Sequence, residues 1–511
     1  MIANASSVGY DTRSDLLRLL LPRITTLTFS IVAVTLSVNS AKIGICADSW
    51  SVPNIVLILA DDLGWADLGV QGSKYYETPS IDRLAAQGMR LTSFHNCQNC
   101  TPTRAALISG QYAPRTGVYT VGGINRFAWQ TRPLRPVDNV VDLPLDKITI
   151  AQALKTAGYT TAMFGKWHIG QQGEYHPSQR GFDEAIVSMG KHFDFATSPQ
   201  TEYPAGQYLA DFLTDRAVDF IERHQDRPFF LYLPHFAVHT PLDAKPERID
   251  RFRAKPSVDG HRNPTYAAMI ASLDDSVGRV LAALDARKLA DRTVVIFSSD
   301  NGGVGGYARE GLGKENNDIT DNAPLRSGKG SLYEGGTRVP FLVRWPGVIQ
   351  PGSTCDVPAI HVDVYPTLLE IAGAQPSTDY ALDGESLVPL LRNAGGELKR
   401  EAIYQHFPGY LGMGQDQWRT TPVGLIHAGP WKLMEFFEDG RLELYNLRDD
   451  LGETRNLATD MPEKAAELHA KLVAWRQAIG APMPTPNPGD MQSAAKAKVG
   501  KKAKAKAGRQ P

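Results

Sequence analysis

Cysteine is scarce in this chain, with four residues among 511. So few thiols exclude a scaffold built on disulfides and favour a role in a site for one of them. Charge of either sign is not in excess, because Lys+Arg 54 stand against Asp+Glu 55, so no nucleic acid is indicated as a partner. Beyond residue 47 the single glycosylation sequon is Asn99-Cys100-Thr101, which favours a bacterial exported protein over a lysosomal one.

Residues 1–47 differ in composition from the rest of the chain. Arg13 and Arg23 precede an apolar run from Ile24 to Val38, and small residues follow it. This pattern predicts a signal peptide and therefore an exported protein, periplasmic or secreted. A transmembrane anchor is the competing interpretation, but the run is rich in Ser and Thr and short for a span of about 20 residues. No stable membrane span is therefore expected.

Three apolar runs predict strands that are buried on both faces of a parallel sheet. They cover residues 54–60, 227–233 and 293–299, with helical patterns between them. The predicted fold class is α/β, a large mixed, mostly parallel sheet sandwiched by helices. A hairpin pattern over 431–447 and a helical pattern over 462–479 predict a smaller C-terminal antiparallel sheet plus helix.

The chain is longer than one hydrophobic core usually supports, so at least two domains are expected. We predict a signal peptide over 1–47, a catalytic domain over 48–394, a smaller α+β domain over 395–482, and a disordered Lys/Ala-rich tail over 483–511.

Oxygen-bearing side chains follow two of the predicted strands. Asp61 and Asp62 end the first strand, and Asp300 and Asn301 end the third. Adjacent carboxylates repel each other unless a cation lies beside them, and open α/β sheets bind ligands at the carboxyl ends of their strands. Oxygen donors without a cysteine and histidine cluster indicate a hard cation, Ca²⁺ first and Mg²⁺ second. Solvated turn or capping carboxylates are the alternative.

The stretch from Cys100 to Gly110, CTPTRAALISG, predicts a helix that begins beside a reactive residue. Pro102 fits the first turn and Gly110 fits a left-handed stop. Free N–H groups at this helix end suit an oxyanion, and Arg104 returns to the face of Cys100. An inert buried thiol is the alternative, and Cys97 with Cys100 also forms a C-x-x-C that could be a redox pair or half a zinc site.

Two later stretches carry further cations. In the run FGKWH, an extended chain would direct Lys166 and His168 to one side, with Trp167 packed behind. Lys329 lies among glycines, where it can approach an anion closely. An exposed lysine and an incidental histidine are the alternatives.

These stretches together resemble the sulfatase family. CTPTR resembles its C/S-x-P-x-R signature, FGKWH its Gly-Lys-Trp-His motif, and GKGSLYEGGTRVP over 328–340 its G-K-x-x-x-Y-E-G-G-x-R-V-P element. The H-T-P run after the second strand resembles a further family element and favours His239 over His235. The resemblance covers most of residues 54–450.

The resemblance implies that Cys100 is oxidised to formylglycine by a formylglycine-generating enzyme. It also implies metal ligands and catalytic residues. The implied ligands are Asp61, Asp62, Cys100, Asp300 and Asn301, and the implied catalytic residues are Cys100, Arg104, Lys166, His168, His239 and Lys329.

In the implied reaction, one hydroxyl of hydrated formylglycine attacks sulfur, and Asp300 takes its proton. The second hydroxyl then expels sulfate with His168 as base, while His239 and Lys329 act on the leaving alcohol. The expected enzyme is a sulfuric ester hydrolase acting on a sulfated carbohydrate or an aryl sulfate.

Two other functions remain open from the sequence. One is a phosphate or phosphonate ester hydrolase of the same superfamily, and the other is a non-catalytic sulfated-glycan-binding protein with an unmodified Cys100. The pairing of Cys97 with Cys355 is also open.

The long segment 111–147 is a candidate substrate wall. It contains Arg115, Arg126, Trp129, Arg132 and Arg135.

Overall fold

The computed structural model describes residues 52–313, 318–414 and 417–489. The strands are β1 (Asn54–Ala60), β2 (Met89–Leu91), β3 (Phe94–His95), β4 (Leu134–Arg135), β5 (Thr160–Gly165), β6 (Glu184–Val187), β7 (Phe229–Pro234), β8 (Thr293–Ser299), β9 (Phe341–Arg344), β10 (Ser353–Cys355), β11 (Ala359–Ile360), β12 (Ile403–Phe407), β13 (Leu411–Gly414), β14 (Gln417–Thr420), β15 (Val423–Ala428), β16 (Trp431–Phe436), β17 (Leu442–Asn446) and β18 (Thr485–Pro486). The helices are α1 (Pro79–Ala86), α2 (Cys100–Ser109), α3 (Ala113–Thr116), α4 (Ile150–Thr156), α5 (Leu209–Arg223), α6 (Pro246–Arg253), α7 (Pro264–Ala286), α8 (Glu334–Thr337), α9 (Val364–Ile371), α10 (Val388–Arg392) and α11 (Pro462–Ala478).

The largest sheet has eight strands in the order β10-β2-β9-β8-β1-β7-β5-β6. Only β9 runs against its neighbours β8 and β2, whereas the other pairings are parallel. The prediction of a large mixed, mostly parallel sheet is confirmed. No helix among the described residues is long and apolar enough to cross a bilayer.

Strand β1 shows why this sheet is sandwiched. Its alternate residues Val56 and Ile58 belong to a core with α1, α5 and α7, whereas Ile55 and Leu57 belong to a core with α2, α4 and α9. Each fully buried aliphatic side chain contributes about 1.5–3 kcal/mol, so both faces of the strand stabilise the fold. After Asn54, polar side chains therefore appear only where the strand ends.

The four central strands bring the predicted site residues to one edge. Strands β8, β1, β7 and β5 are consecutive neighbours and parallel, so their carboxyl ends lie side by side. These ends lead into residues 300–301, 61–62, 235–239 and 166–168, respectively. The topology thus assembles a site from segments far apart in the sequence.

A four-stranded antiparallel sheet, β12-β15-β16-β17, follows in the C-terminal part. Helix α11 covers one face of it, where Leu468 and Leu472 pack with Ile426 and Leu433. The prediction of a smaller antiparallel sheet plus helix is confirmed, while the predicted domain boundary at residue 395 stays a prediction.

The predicted signal peptide, residues 1–47, and the Lys-rich residues 490–511 lie outside the described residues. The start of the predicted tail is ordered, contrary to the sequence-based expectation. Strand β18 pairs with β4, and the buried Asn487 side chain donates hydrogen bonds to the carbonyls of Gln130 and Arg132. The stretch is Pro-rich, but the short edge strand β4 offers it a partner.

Helix α7 carries two adjacent acidic residues, Asp274 and Asp275. A charged side chain in mid-helix ordinarily lies on a solvated face, yet Asp274 is only 3% exposed. Its Oδ1 accepts hydrogen bonds from the backbone N–H groups of Ser80 at 3.0 Å and Ile81 at 2.8 Å. Asp274 therefore caps the N-terminus of α1 from a different helix, which spacing within α7 could not reveal.

Candidate active site

Cys100 is the first residue of α2, as the sequence predicts. Asn99 before it is extended, and Gly110 ends the helix in the left-handed conformation with φ 68°. The Cys100 side chain is buried, and its Sγ lies 3.9 Å from Asp62 Oδ1 and 3.4 Å from Lys329 Nζ. A carboxylate and an ammonium group thus both approach the candidate nucleophile.

Asp62 is the centre of the polar contacts beneath Cys100. Its carboxylate receives Lys329 Nζ at 2.7 Å and Asn301 Nδ2 at 2.9 Å, and His239 Nε2 lies 3.6 Å away. The residue has φ 64°, a left-handed backbone conformation that Asp, like Asn, adopts more readily than most other non-glycine residues. This backbone turn directs Asp62 toward the cluster straight after β1.

Arg104 connects the carboxyl ends of β8 and β5 through hydrogen bonds. Its guanidinium donates to Asp300 Oδ2 from Nε at 3.0 Å and from Nη2 at 2.7 Å, and Nη1 donates to the Lys166 carbonyl at 2.7 Å. Both Arg104 and Asp300 are fully buried. A charge pair in such surroundings is stable only because nearly every donor has a partner.

Lys166 follows β5 and is 1% exposed, with its Nζ 2.5 Å from Asp61 Oδ2. The chain reaches this position through Gly165, which has φ 134°, and a Cβ there would lie 1.9 Å from the Pro234 carbonyl oxygen. Only glycine allows this close approach of β5 to β7. Lys166 and His168 both line the site as predicted, although by a turn at His168 (φ 62°) and not by an extended chain.

The two candidate histidines after β7 lie in different surroundings. His239 lines the same cavity as Cys100, whereas His235 is fully buried and contacts Ser276 Oγ at 2.9 Å. His168 Nδ1 lies 3.3 Å from Thr101 Oγ1, beside the start of α2. The structure therefore brings together the predicted residues at positions 61, 62, 100, 104, 166, 168, 239, 300, 301 and 329.

The charges of the cluster move several pKa values. Burial raises the pKa of the Cys100 thiol, but Lys166 and Lys329 outweigh it and lower the value to about 7. Burial opposes the ionisation of Asp62 as well, yet Lys329 and His239 hold its pKa well below the ordinary range. The thiol is thereby easier to ionise than an ordinary cysteine.

The two site histidines shift in opposite directions. Burial, Lys166 and Arg104 lower the pKa of His168 to about 2, so this imidazole is uncharged near neutral pH. Burial also disfavours the charged form of His239, but Asp62 and Asp61 raise its pKa to about 9. One histidine can accept a proton and the other can donate one.

The oxygen donors fit a divalent cation. Ligand atoms of Asp61, Asp62, Cys100 and His239 all lie within 4.8 Å of one another. Among the described residues, the buried Asn301 Oδ1 and Asp61 Oδ1 have no hydrogen-bond partner, and such orphaned oxygens are costly unless a ligand satisfies them. Carboxylate and amide oxygens suit a hard cation.

A cavity of about 270 Å³ opens above the cluster. Cys100, Lys166, His168, His239 and Lys329 line it. A second cavity, of about 510 Å³, shares His168 and Val121 with the first and continues past Gln171 and Gln172. The site therefore has room for more than a small ester.

Some cavity residues escaped the sequence analysis. Arg419 reaches the cavity from β14, and Thr101 contacts His168. Thr101 is adjacent to the recognised Cys100 and could have been found by position in the helix turn. Arg419 carries no local signal, because only the tertiary structure places its hairpin at the cavity.

Residues 53–374 match the family profile described as Sulfatase. The chain belongs to the sulfatase family. Residues 328–478 also match the profile described as N-sulphoglucosamine sulphohydrolase, C-terminal. Members of the sulfatase family hydrolyse sulfate esters and generally use formylglycine and a divalent metal.

Two curated relatives extend over most of this sulfatase. A protein named sulfatase from Formosa agariphila is 37% identical, covering 84% of this chain and 89% of the relative. N-acetylgalactosamine-6-sulfatase from Canis lupus familiaris is 33% identical, covering 76% of this chain and 74% of the relative. Both relatives are named sulfatases, and this chain is likewise a sulfuric ester hydrolase.

Solved structures agree with this assignment. Ps i-CgsB, crystallised in complex with k-i-k-neocarrahexaose, has a TM-score of 0.70 and 29% identity, covering 83% of this chain and 92% of that chain. The phosphonate monoester hydrolase of Agrobacterium radiobacter, at 20% identity and a TM-score of 0.60, shares the fold alone; it covers 84% of this chain and 96% of that chain. Of these two structures, Ps i-CgsB exceeds 25% sequence identity and the phosphonate monoester hydrolase does not.

Proposed function

We propose that this sulfatase is a formylglycine-dependent, Ca²⁺-binding enzyme that removes sulfate from sulfated carbohydrates, with Mg²⁺ as the second choice of cation. One observation carries the proposal: the Cys100 thiol lies at the first turn of α2, next to Lys329 and above a cluster of buried oxygen donors. An oxyanion bound at this position would contact the Lys329 ammonium group, the proposed metal cation and the free N–H groups at the start of α2.

The cation would be held by Asp61, Asp62, Asp300 and Asn301 together with residue 100. When bound, the cation polarises the sulfate oxygens, and residue 100, once oxidised and hydrated, supplies the nucleophilic hydroxyl and the hydroxyl that later releases sulfate. The orphaned oxygens of Asp61 and Asn301 support this donor set.

The remaining residues bind, orient and move protons. Lys166 and Lys329 offset negative charge on the sulfate, and Arg104 holds Asp300 in place through two donors. His168 is neutral and can accept a proton from the hydroxyl at residue 100, while Thr101 orients its ring. Asp62 and Asp61 raise the pKa of His239, which favours a protonated ring that can donate to the oxygen of the leaving alcohol.

The carbohydrate substrate rests on two supports. The relatives and solved structures include a named N-acetylgalactosamine-6-sulfatase and a protein crystallised with k-i-k-neocarrahexaose. In addition, the two adjoining cavities provide space and polar groups on both sides of His168. We also propose export to the periplasm or medium, and maturation by a formylglycine-generating enzyme, from the sequence patterns.

The direct test is peptide mass spectrometry of the natively expressed protein, combined with desulfation assays and metal analysis. We expect an aldehyde at residue 100, release of sulfate from defined sulfated oligosaccharides, and calcium bound in equimolar amount. Asp61→Asn should abolish metal binding, whereas Asp285→Asn on the exposed side of α7 should retain it. An unmodified thiol, or faster turnover of a nitrophenyl phosphonate than of the sulfate, would contradict the proposal.

A further inference from the structure

Two arginines in the cavity are not used by the sulfatase chemistry. Three of the arginines in segment 111–147 form ion pairs: Arg115 with Asp383 at 2.7 Å, Arg132 with Glu438, and Arg135 with Asp138. Arg126 lines the cavity instead. Its Nη1 donates to the Val121 carbonyl at 3.2 Å, and its guanidinium lies over the Phe127 ring at 5.3 Å.

Arg419 is the second of these residues and comes from the C-terminal part of the chain. Its guanidinium stacks 4.7 Å above the ring of the buried Tyr307, whose hydroxyl donates to the Lys329 carbonyl at 2.6 Å. Its stem passes over Gly330, where an added Cβ would lie 2.9 Å from Arg419 Cδ. The contacts hold Arg419 beside Lys329.

No ion pair joins the Arg419 side chain to an acidic group among residues 52–313, 318–414 and 417–489. Within the described part of the chain its Nε is buried without a hydrogen-bond partner. Among the lining residues that the structure describes, none is Asp or Glu, and the two lysines there already face Asp61 and Asp62. A buried, unsatisfied charged donor is costly and indicates that a ligand completes it.

We propose that Arg419, together with Arg126, binds a second anionic group of the substrate, so that the preferred saccharide carries another oxyanion besides the sulfate that is removed. This inference rests on the proposed function, and it narrows the substrate class to polyanionic saccharides. A planar guanidinium fork matches both a sulfate ester and a carboxylate. Both groups are oxyanions, and the experiment below distinguishes between them.

The test uses the full-length, matured enzyme and three saccharides with the same backbone and the same scissile sulfate. One has no other charge, one has a second sulfate, and one has a carboxylate at that position. We expect the wild type to prefer at least one doubly charged saccharide by about tenfold or more in kcat/KM, since hydrogen bonds to charged groups are strong. Whichever of the two doubly charged saccharides has the higher kcat/KM shows whether the second anionic group is a sulfate or a carboxylate.

Arg419→Gln and Arg126→Gln should lower this preference, mainly through KM, by about tenfold for the better-placed residue. Arg419→Lys keeps a positive charge beside the Tyr307 ring and should therefore retain part of the preference for doubly charged saccharides. Arg135→Gln, which removes a guanidinium paired with Asp138 in the same segment, is the matched control and should retain it.

Equal kcat/KM values for all three saccharides in the wild type, or an unchanged preference in both glutamine variants, would overturn the inference. Hydrolysis of nitrophenyl sulfate tests the sulfatase chemistry separately. If the aryl ester is hydrolysed but no saccharide is, the carbohydrate proposal fails. Equilibrium binding of the same saccharides to Cys100→Ala then still decides whether Arg419 selects a second anion.

Discussion

Lys329 Nζ lies 2.7 Å from Oδ2 of Asp62, and both groups are largely buried. The ammonium group neutralises the carboxylate that we assign to the metal, and it also contacts Cys100 Sγ at 3.4 Å. Lys329 and the proposed cation would therefore stabilise the same negative charge. This relationship makes the stability of the site depend on both of them.

Lys329→Met should destabilise the metal-free protein by about 3 kcal/mol, because it leaves a buried carboxylate uncompensated. Added Ca²⁺ should raise the melting temperature of the variant more than that of the wild type, since the cation takes over the lost charge. Thermal denaturation with and without Ca²⁺ measures both effects. Lys191→Met, at an exposed lysine, is the control, and an equal response of Lys329→Met and wild type to Ca²⁺ would contradict the assignment of Asp62 to the metal.

Arg104→Lys should lower kcat/KM on nitrophenyl sulfate by about a hundredfold or more and destabilise the fold by about 3 kcal/mol. Lysine cannot reproduce the two hydrogen bonds to Asp300 and the third to the Lys166 carbonyl. Steady-state kinetics and urea denaturation check this expectation. Arg115→Lys is the matched control, because its partner Asp383 lies outside the cavity and the arginine side chain is 34% exposed. Near-wild-type activity of Arg104→Lys would show that the fork is dispensable.

The sequence predicted that the oxygen donors lie together, because the strand ends mark them. In β1 every residue is apolar apart from Asn54, so the abrupt change to Asp61 and Asp62 stands out. Parallel neighbouring strands then have to bring these ends together, whatever the loops between them do. Asp300 and Asn301 after β8 follow the same logic.

The sequence could not predict contacts that depend on how distant elements pack. Asp274 has the spacing of a solvated helix residue, yet α1 lies against α7 there and turns it into a cap. Arg419 belongs to a short hairpin with no motif, and only the packing of its stem on Gly330 brings it to the cavity. Local patterns describe one element, whereas these roles belong to pairs of elements.

His239→Gln should slow the hydrolysis of alkyl sulfates more than that of aryl sulfates. In the proposed mechanism the protonated His239 donates to the leaving oxygen, and a poor leaving group such as a sugar hydroxyl needs that proton, whereas nitrophenolate does not. We expect a loss of about 10²–10⁴ in kcat on a sugar sulfate and a much smaller loss on nitrophenyl sulfate. His469→Gln on α11 is the control. Equal losses on both esters would exclude His239 as the acid.

The stability of the fold should depend on pH through Asp274. Burial raises the pKa of this carboxyl from 3.8 to about 6, against hydrogen bonds from Ile81 and Ser80 that lower it. The folded state therefore binds a proton more tightly than the unfolded state. The resulting stabilisation is full below about pH 4 and is lost as the pH rises through about 6.

Asp274→Asn removes this titration while keeping an oxygen that can accept an N–H from α1. The difference in unfolding free energy, wild type minus Asp274→Asn, should therefore decrease between pH 4 and pH 7, by up to about 3 kcal/mol. Urea denaturation at several pH values measures it. Asp285→Asn, at an exposed position of the same helix, should show no such trend. A difference that stays constant or grows with pH would mean that Asp274 is ionised throughout and that the helix N-terminus outweighs its burial.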